Sequence, residues 1–150
     1  MATWIGESEV IPVAMPPPER KAVLHLKLVL WAAALHSFAV GLGLILHPAP
    51  VLAFFGYAPL TEPFFPTQGG VFHVLMAVGY GMGAVHPHRF RCLVIFAVIV
   101  KTAATVFLLT YWSLVSPLLI VLLSAVGDGV LAAALWLTYR RWRRSVRLGG

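Results

Sequence analysis

The chain has 150 residues, of which 60% are hydrophobic and only 11% charged, with a formal net charge of +6 at pH 7. Soluble domains carry about 25% charged and about 45–50% apolar residues, and a chain this short has too little interior to hide so much apolar surface from water. Together with a mean hydropathy of +0.89, this excludes a soluble globular domain and makes lipid the solvent of an all-α integral membrane protein.

Residues 1–21 contain Glu7, Glu9, Glu19 and the run Pro16-Pro17-Pro18. No basic segment precedes an apolar core here, so the stretch is not a secretory signal peptide and reads as a flexible proline-rich tail. The first apolar segment runs from Ala22 to Leu46 and stops at His47-Pro48, because the residue before a proline is driven out of the helical region. Its length reaches roughly 37 Å by helical rise, enough to cross a ~30 Å hydrocarbon core. Residues 47–67 hold Pro48, Pro50, Pro59, Pro63 and Pro66, which forbid one continuous helix. Phe54, Phe55, Tyr57, Phe64 and Phe65 make this loop amphiphilic, suited to the membrane interface over one end of a bundle.

A second helix is expected from Gln68 to His86, stopped by Pro87. Within it, Gly79 and Gly83 form a small-xxx-small pair that would let a neighbouring helix, in the same chain or in a homodimer, pack closely. Residues 90–139 are too long for one span and divide at Ser116-Pro117, with Ser116 as a cap and Pro117 in the first turn. Helices over 90–112 and 117–139 follow, and the expected architecture is a four-helix antiparallel transmembrane bundle with a basic tail over 140–150.

The basic residues sort by side. Arg20, Lys21 and Lys27 flank the first helix start, Arg89 and Arg91 lie between helices two and three, and Arg140, Arg141, Arg143, Arg144 and Arg147 follow helix four. The opposite connections hold only Glu62. The positive-inside rule therefore places both termini in the cytoplasm of a cell membrane. Trp136, Tyr139 and Trp142 would form the inner aromatic belt, with Tyr111 and Trp112 at the outer one. The basic tail reads as a topology signal that binds anionic lipid headgroups, not nucleic acid. Cys92 is the single cysteine, so an internal disulfide, a CxxC redox pair and a thiolate zinc site are excluded.

Two charges fall inside the spans. By rise, Lys101 lies about 15 Å and Asp128 about 16 Å from the basic end, level on neighbouring antiparallel helices. Each alone would cost about 2.5–3.5 kcal/mol on insertion scales, so a facing pair is expected. Such a pair either fixes helix register or borders a polar cavity, and both readings stand. Helical spacing adds Ser124 to the face of Asp128, and aligns His73, Ala77, Tyr80 and Ala84 on helix two. His36 and Gly43 share a face of helix one. The candidate polar centre is therefore Lys101, Asp128, His36, His73, Tyr80 and Ser124. Bis-histidine haem is disfavoured because His36 and His73 differ in depth by about 8 Å, and clustered carboxylates for a metal are lacking.

The stretch from Gln68 to Leu137 resembles the DoxX-like group of small bacterial four-helix membrane proteins. The likeness rests on Gly69-Gly70 with Phe72-His73, Gly79-Tyr80-Gly81, His86-Pro87-His88-Arg89, Lys101, Tyr111-Trp112 and Gly127-Asp128. Helix one lacks the arginine-led opening of that group, which marks a divergent branch. The resemblance implies a membrane-bound four-helix bundle loosely associated with quinol, redox or envelope partners. The architecture is also similar to sterol-isomerase-like bundles, where intramembrane acidic and histidine side chains shuttle protons. Three expectations follow: a bundle holding a quinone-like or lipid-like ligand, a membrane enzyme moving protons on a hydrophobic substrate, and a proton-coupled transporter acting as a homodimer.

Overall fold

The computed structural model describes residues 17–57 and 61–148. It contains five helices in chain order and no strand among the described residues: α1 (Pro17–Leu46), α2 (Ala49–Phe54), α3 (Phe64–Val85), α4 (Arg91–Leu114) and α5 (Leu119–Leu148). Three of them, α1, α4 and α5, are long and apolar enough to cross a membrane. The fourth long helix, α3, has the length, but its glycines, Gln68 and His73 dilute its hydropathy. The chain is thus an all-helical membrane protein.

The last helix begins at Leu119, with the Leu118 carbonyl accepting from Val121 and Leu122, so Ser116 does not cap it and Pro117 lies before its first turn. Three further boundaries differ from those the sequence leads one to expect, each for a local reason. The expected tail over residues 1–16 lies outside the described residues, but Pro17 to Lys21 are helical. Proline is compatible with a first turn, where its missing N–H has no intrahelical acceptor, and Glu19 there complements the positive helix end. The same reasoning moves the start of α3 back from Gln68 to Phe64. Pro66 sits in its first turn, and the Phe64 N–H is capped by Glu62 Oε1 at 3.0 Å. At the other end, the basic residues from Arg140 onward continue α5 as helix instead of forming a separate tail. Arg140 lies over the Trp136 ring and Arg143 over the Tyr139 ring, 5.6 and 5.8 Å from the centroids. Their guanidinium groups thereby lie against aromatic faces at the end of the helix.

The loop between α1 and α3 is not wholly irregular. It opens on His47, whose φ of 45° is left-handed and ends α1 ahead of Pro48. The short α2 follows, and Gly56 turns the chain with φ 83°, where a side chain would be strained and would meet Leu118 at the start of α5. This segment therefore sits over the end of the bundle where α4 passes into α5.

In the bundle, α1 packs most extensively on α3 and also on α5, α4 packs on α5, and the α3–α4 contact is the slightest. The interior is narrow, built from Leu26, Leu30, Ala33, Ala84, Val94, Ala97 and Leu135. Large apolar side chains point outward in mid-helix instead, with Leu35 70% and Phe107 64% exposed. An apolar exterior around a core of small residues is the arrangement lipid favours, since association there depends on close packing and not on removing apolar surface from water.

The closest approach is made by glycines other than the expected pair. A Cβ on Gly41 would fall 2.8 Å from the Gly70 carbonyl oxygen, and one on Gly70 would fall 2.7 Å from that of Gly41. Gly79 faces open space, and Gly83 is in ordinary contact with Leu93, Val94 and Leu30. Within the chain, Gly83 is thus the member of the expected pair that packs, against α1 and α4, while the tightest meeting of α1 and α3 is through Gly41 and Gly70.

Candidate functional site

The polar centre is assembled from the four long helices. Lys101 projects from α4 and is almost fully enclosed, as is Asp128 on α5, with 2% and 4% of their surface exposed. The Lys101 ammonium donates to Asp128 Oδ1 at 2.5 Å and to Ser37 Oγ at 3.1 Å, and lies 3.3 Å from His36 Nδ1. A lysine ammonium has three protons, and three acceptors surround it. The ion pair is therefore satisfied within the fold, which is what allows both charges to exist in a dry interior.

Ser37 is the member that sequence reasoning missed. It lies on the inner face of α1 with Leu30, Ala33, Ala34 and Gly41, all buried. His36, about 100° around the helix, falls at the edge of that face, with 30% of its side chain exposed. Its Nδ1 is 3.7 Å from Asp128 Oδ1, and its ring packs against Gly127, where an added Cβ would be 3.3 Å from Nε2. A full trace of the α1 apolar stripe, rather than the spacing of His36 and Gly43 alone, would have pointed to Ser37.

On α3, Ala77, Tyr80 and Ala84 are buried on one side. Tyr80 places its ring 5.8 Å from the Lys101 ammonium, a cation–π distance. Its hydroxyl is buried near the Ser37 hydroxyl without a hydrogen bond of good geometry, and Nδ1 of His73, two turns earlier, is buried without a partner. His73 is within electrostatic reach of Lys101, Asp128 and His36. Ser124 is half-buried and makes no hydrogen bond in the network. Of the six expected polar residues, the structure gathers Lys101, Asp128, His36 and Tyr80 closely, sets His73 beside them and leaves Ser124 apart.

The centre thus has two kinds of group. Lys101, Asp128 and Ser37 satisfy one another and hold α1, α4 and α5 in register. Tyr80 and His73, both on α3, carry buried polar atoms with nothing to bond. Such orphans cost about 1–3 kcal/mol each when left unpaired, so they mark where an external acceptor or donor fits.

No family model matches the chain, and no curated protein or solved structure shows significant similarity to it.

Proposed function

We propose that the chain is a four-span membrane bundle, a divergent DoxX-like protein of the cell membrane, that binds a hydrophobic ligand bearing a carbonyl or similar polar head, of quinone or lipid type. The observation that carries this reading is the pair of orphaned polar atoms, Tyr80 Oη and His73 Nδ1, beside a saturated ion pair. The Tyr80 hydroxyl would donate to a ligand oxygen, with the small residues Ala84 and Ala97 packed in the same core. Lys101 and Asp128 supply a fixed field at the ligand head without needing to touch it. In this reading α3 crosses the membrane with the other three, its lower hydropathy reflecting the polar groups it presents inward. The basic residues gathered at one end place both termini in the cytoplasm.

The protein purified in mild detergent should carry about one such molecule per chain by mass spectrometry. Loss of one hydrogen bond is worth about 0.5–1.5 kcal/mol, so Tyr80→Phe should reduce retention several-fold. A ligand-free protein whose Tyr80→Phe variant is more heat-stable than the parent would overturn the reading, because the hydroxyl would then be a defect and not a contact. One observation favours a second reading, proton transfer on a hydrophobic substrate. His36 is partly exposed at the bundle flank while its Nδ1 lies near buried Asp128, linking outside to inside. Isomer conversion that disappears in His36→Gln would select that chemistry.

A further inference from the structure

The last turns of α5, the α3–α4 turn and the start of α4 enclose a recess of about 270 Å³ lined by His88, Arg91, Trp142, Arg143, Val146 and Arg147. Three guanidinium groups line it and, among the described residues, no carboxylate does. The carboxylate of Glu19 is held to the side, 3.8 Å from His88 Nε2. Tyr139, expected in the inner aromatic belt, is instead buried and organises two of the arginines. Arg91 Nε donates to its hydroxyl at 3.0 Å, and both Arg91 and Arg143 lie within 6 Å of its ring centroid. Trp142, likewise expected in the belt, is 3% exposed and packs edge-on against His88 at 4.9 Å. Its indole N–H is buried with no acceptor. Directly beside these groups α4 begins at Arg91, and Phe90 at its N-cap provides no side-chain cap for the first N–H groups. A positive helix end, an orphaned N–H and three clustered guanidiniums all lack one thing, an anionic oxygen acceptor.

We propose that this recess binds the phosphodiester of an anionic phospholipid headgroup. The planar forks of Arg91 and Arg143 suit paired phosphate oxygens, and the Trp142 N–H suits a further oxygen. A lipid source is favoured over a soluble one by location. The recess lies at the end of helices that carry exposed apolar residues such as Ile95, Ile99 and Leu137, along which acyl chains would lie. Basic pockets between helix ends at the cytoplasmic face have this role in general. The inference rests on membrane embedding and is independent of any ligand at Tyr80.

The test is native mass spectrometry of the full chain released from detergent, titrated with phosphatidylglycerol, phosphatidylcholine or inorganic phosphate. One phosphatidylglycerol per chain should bind on the order of tenfold more tightly than phosphatidylcholine. Arg143→Gln should abolish that preference, and Trp142→Phe, which keeps the packing but removes the N–H, should weaken it several-fold. Arg140→Gln removes the same charge outside the recess and should leave the preference intact. Equal loss in Arg140→Gln would reduce the effect to diffuse charge and overturn the site. Absence of preference over phosphatidylcholine would overturn it as well. Displacement by inorganic phosphate at equal affinity would overturn the lipid source in favour of a soluble anion. Because the readout is headgroup preference, it stands or falls separately from co-purification of a ligand at the bundle centre.

Discussion

Replacing Asp128 with leucine removes the carboxylate to which Lys101 donates at 2.5 Å and leaves an ammonium with only Ser37 and His36 around it. Breaking a buried pair in this way costs about 3–5 kcal/mol, since the surviving charge is neither solvated nor paired. Removing Lys101 instead should be less severe. His36 Nδ1 stands 3.7 Å from Asp128 Oδ1 and can take a proton, with a gross Coulomb attraction of about 4 kcal/mol at an effective dielectric of about 20. After desolvation of the ring, Lys101→Met should still be milder than Asp128→Leu by roughly 1–2 kcal/mol. The double variant Lys101→Met/Asp128→Leu removes both charges and should return to within about 1 kcal/mol of the parent, a coupling energy of at least about 3 kcal/mol. Thermal unfolding in one detergent at one concentration reads these differences. With a shift of about 2–4 °C per kcal/mol at this chain length, Asp128→Leu should melt roughly 6–20 °C low. A charge-swapped Lys101→Asp/Asp128→Lys protein should recover part of that loss, because Ser37 can donate to the new carboxylate. If the apolar double variant melts no higher than Asp128→Leu, the pair is not what holds these helices and the reasoning fails.

The glycine assignment separates cleanly by alanine substitution. Gly41→Ala places a methyl 2.8 Å from the Gly70 carbonyl oxygen and should cost about 1–3 kcal/mol, whereas Gly79→Ala meets nothing within 4 Å and should be neutral or stabilising by up to about 1 kcal/mol. Melting curves in the opposite order would restore Gly79 as the packing position. His47 holds φ 45° and buries an unpartnered Nε2, so His47→Gly should raise stability by about 1 kcal/mol, and a lower melting point would contradict the left-handed helix end. Cys92 is the single cysteine and is exposed near the basic end of α4. Impermeant maleimide applied to intact spheroplasts should leave it unlabelled and react after lysis, and labelling from outside would invert the proposed orientation.

What could be read before folding, and what could not, follows from how each signal works. Hydropathy and prolines located the long helices because both act within a few residues. They misplaced the ends for the same reason: Pro17 and Pro66 look like breakers in a sequence, yet each lies in a first turn that has no use for the missing N–H. Counting rise along two antiparallel helices put Lys101 and Asp128 at one depth, since an isolated charge in lipid demands a partner and only one arrangement supplies it. Close helix approach is different. Gly41 and Gly70 lie on separate helices and no spacing rule along either one joins them, while Gly79 satisfies the rule with no neighbour of its own chain to use it. Trp142 and Tyr139 have the composition of a lipid-facing belt, but the extension of α5 past the span buries both and makes Trp142 part of the wall of a basic recess.

Satisfaction of hydrogen bonds is the least local property of all, and it redistributes the functional weight. Charge alone singles out Lys101 and Asp128, because a sequence displays formal charge and hides occupancy. Once folded, the lysine's three protons all have acceptors, two of them from α1, and its capacity to bind anything else is spent. The unspent capacity belongs to neutral groups, Tyr80 and His73, which no charge count would rank first. Both lie on α3, the long helix not apolar enough to stand among the three evident spans. The side chains free to meet a ligand thus sit on the helix held to the bundle chiefly by α1 and only lightly by α4.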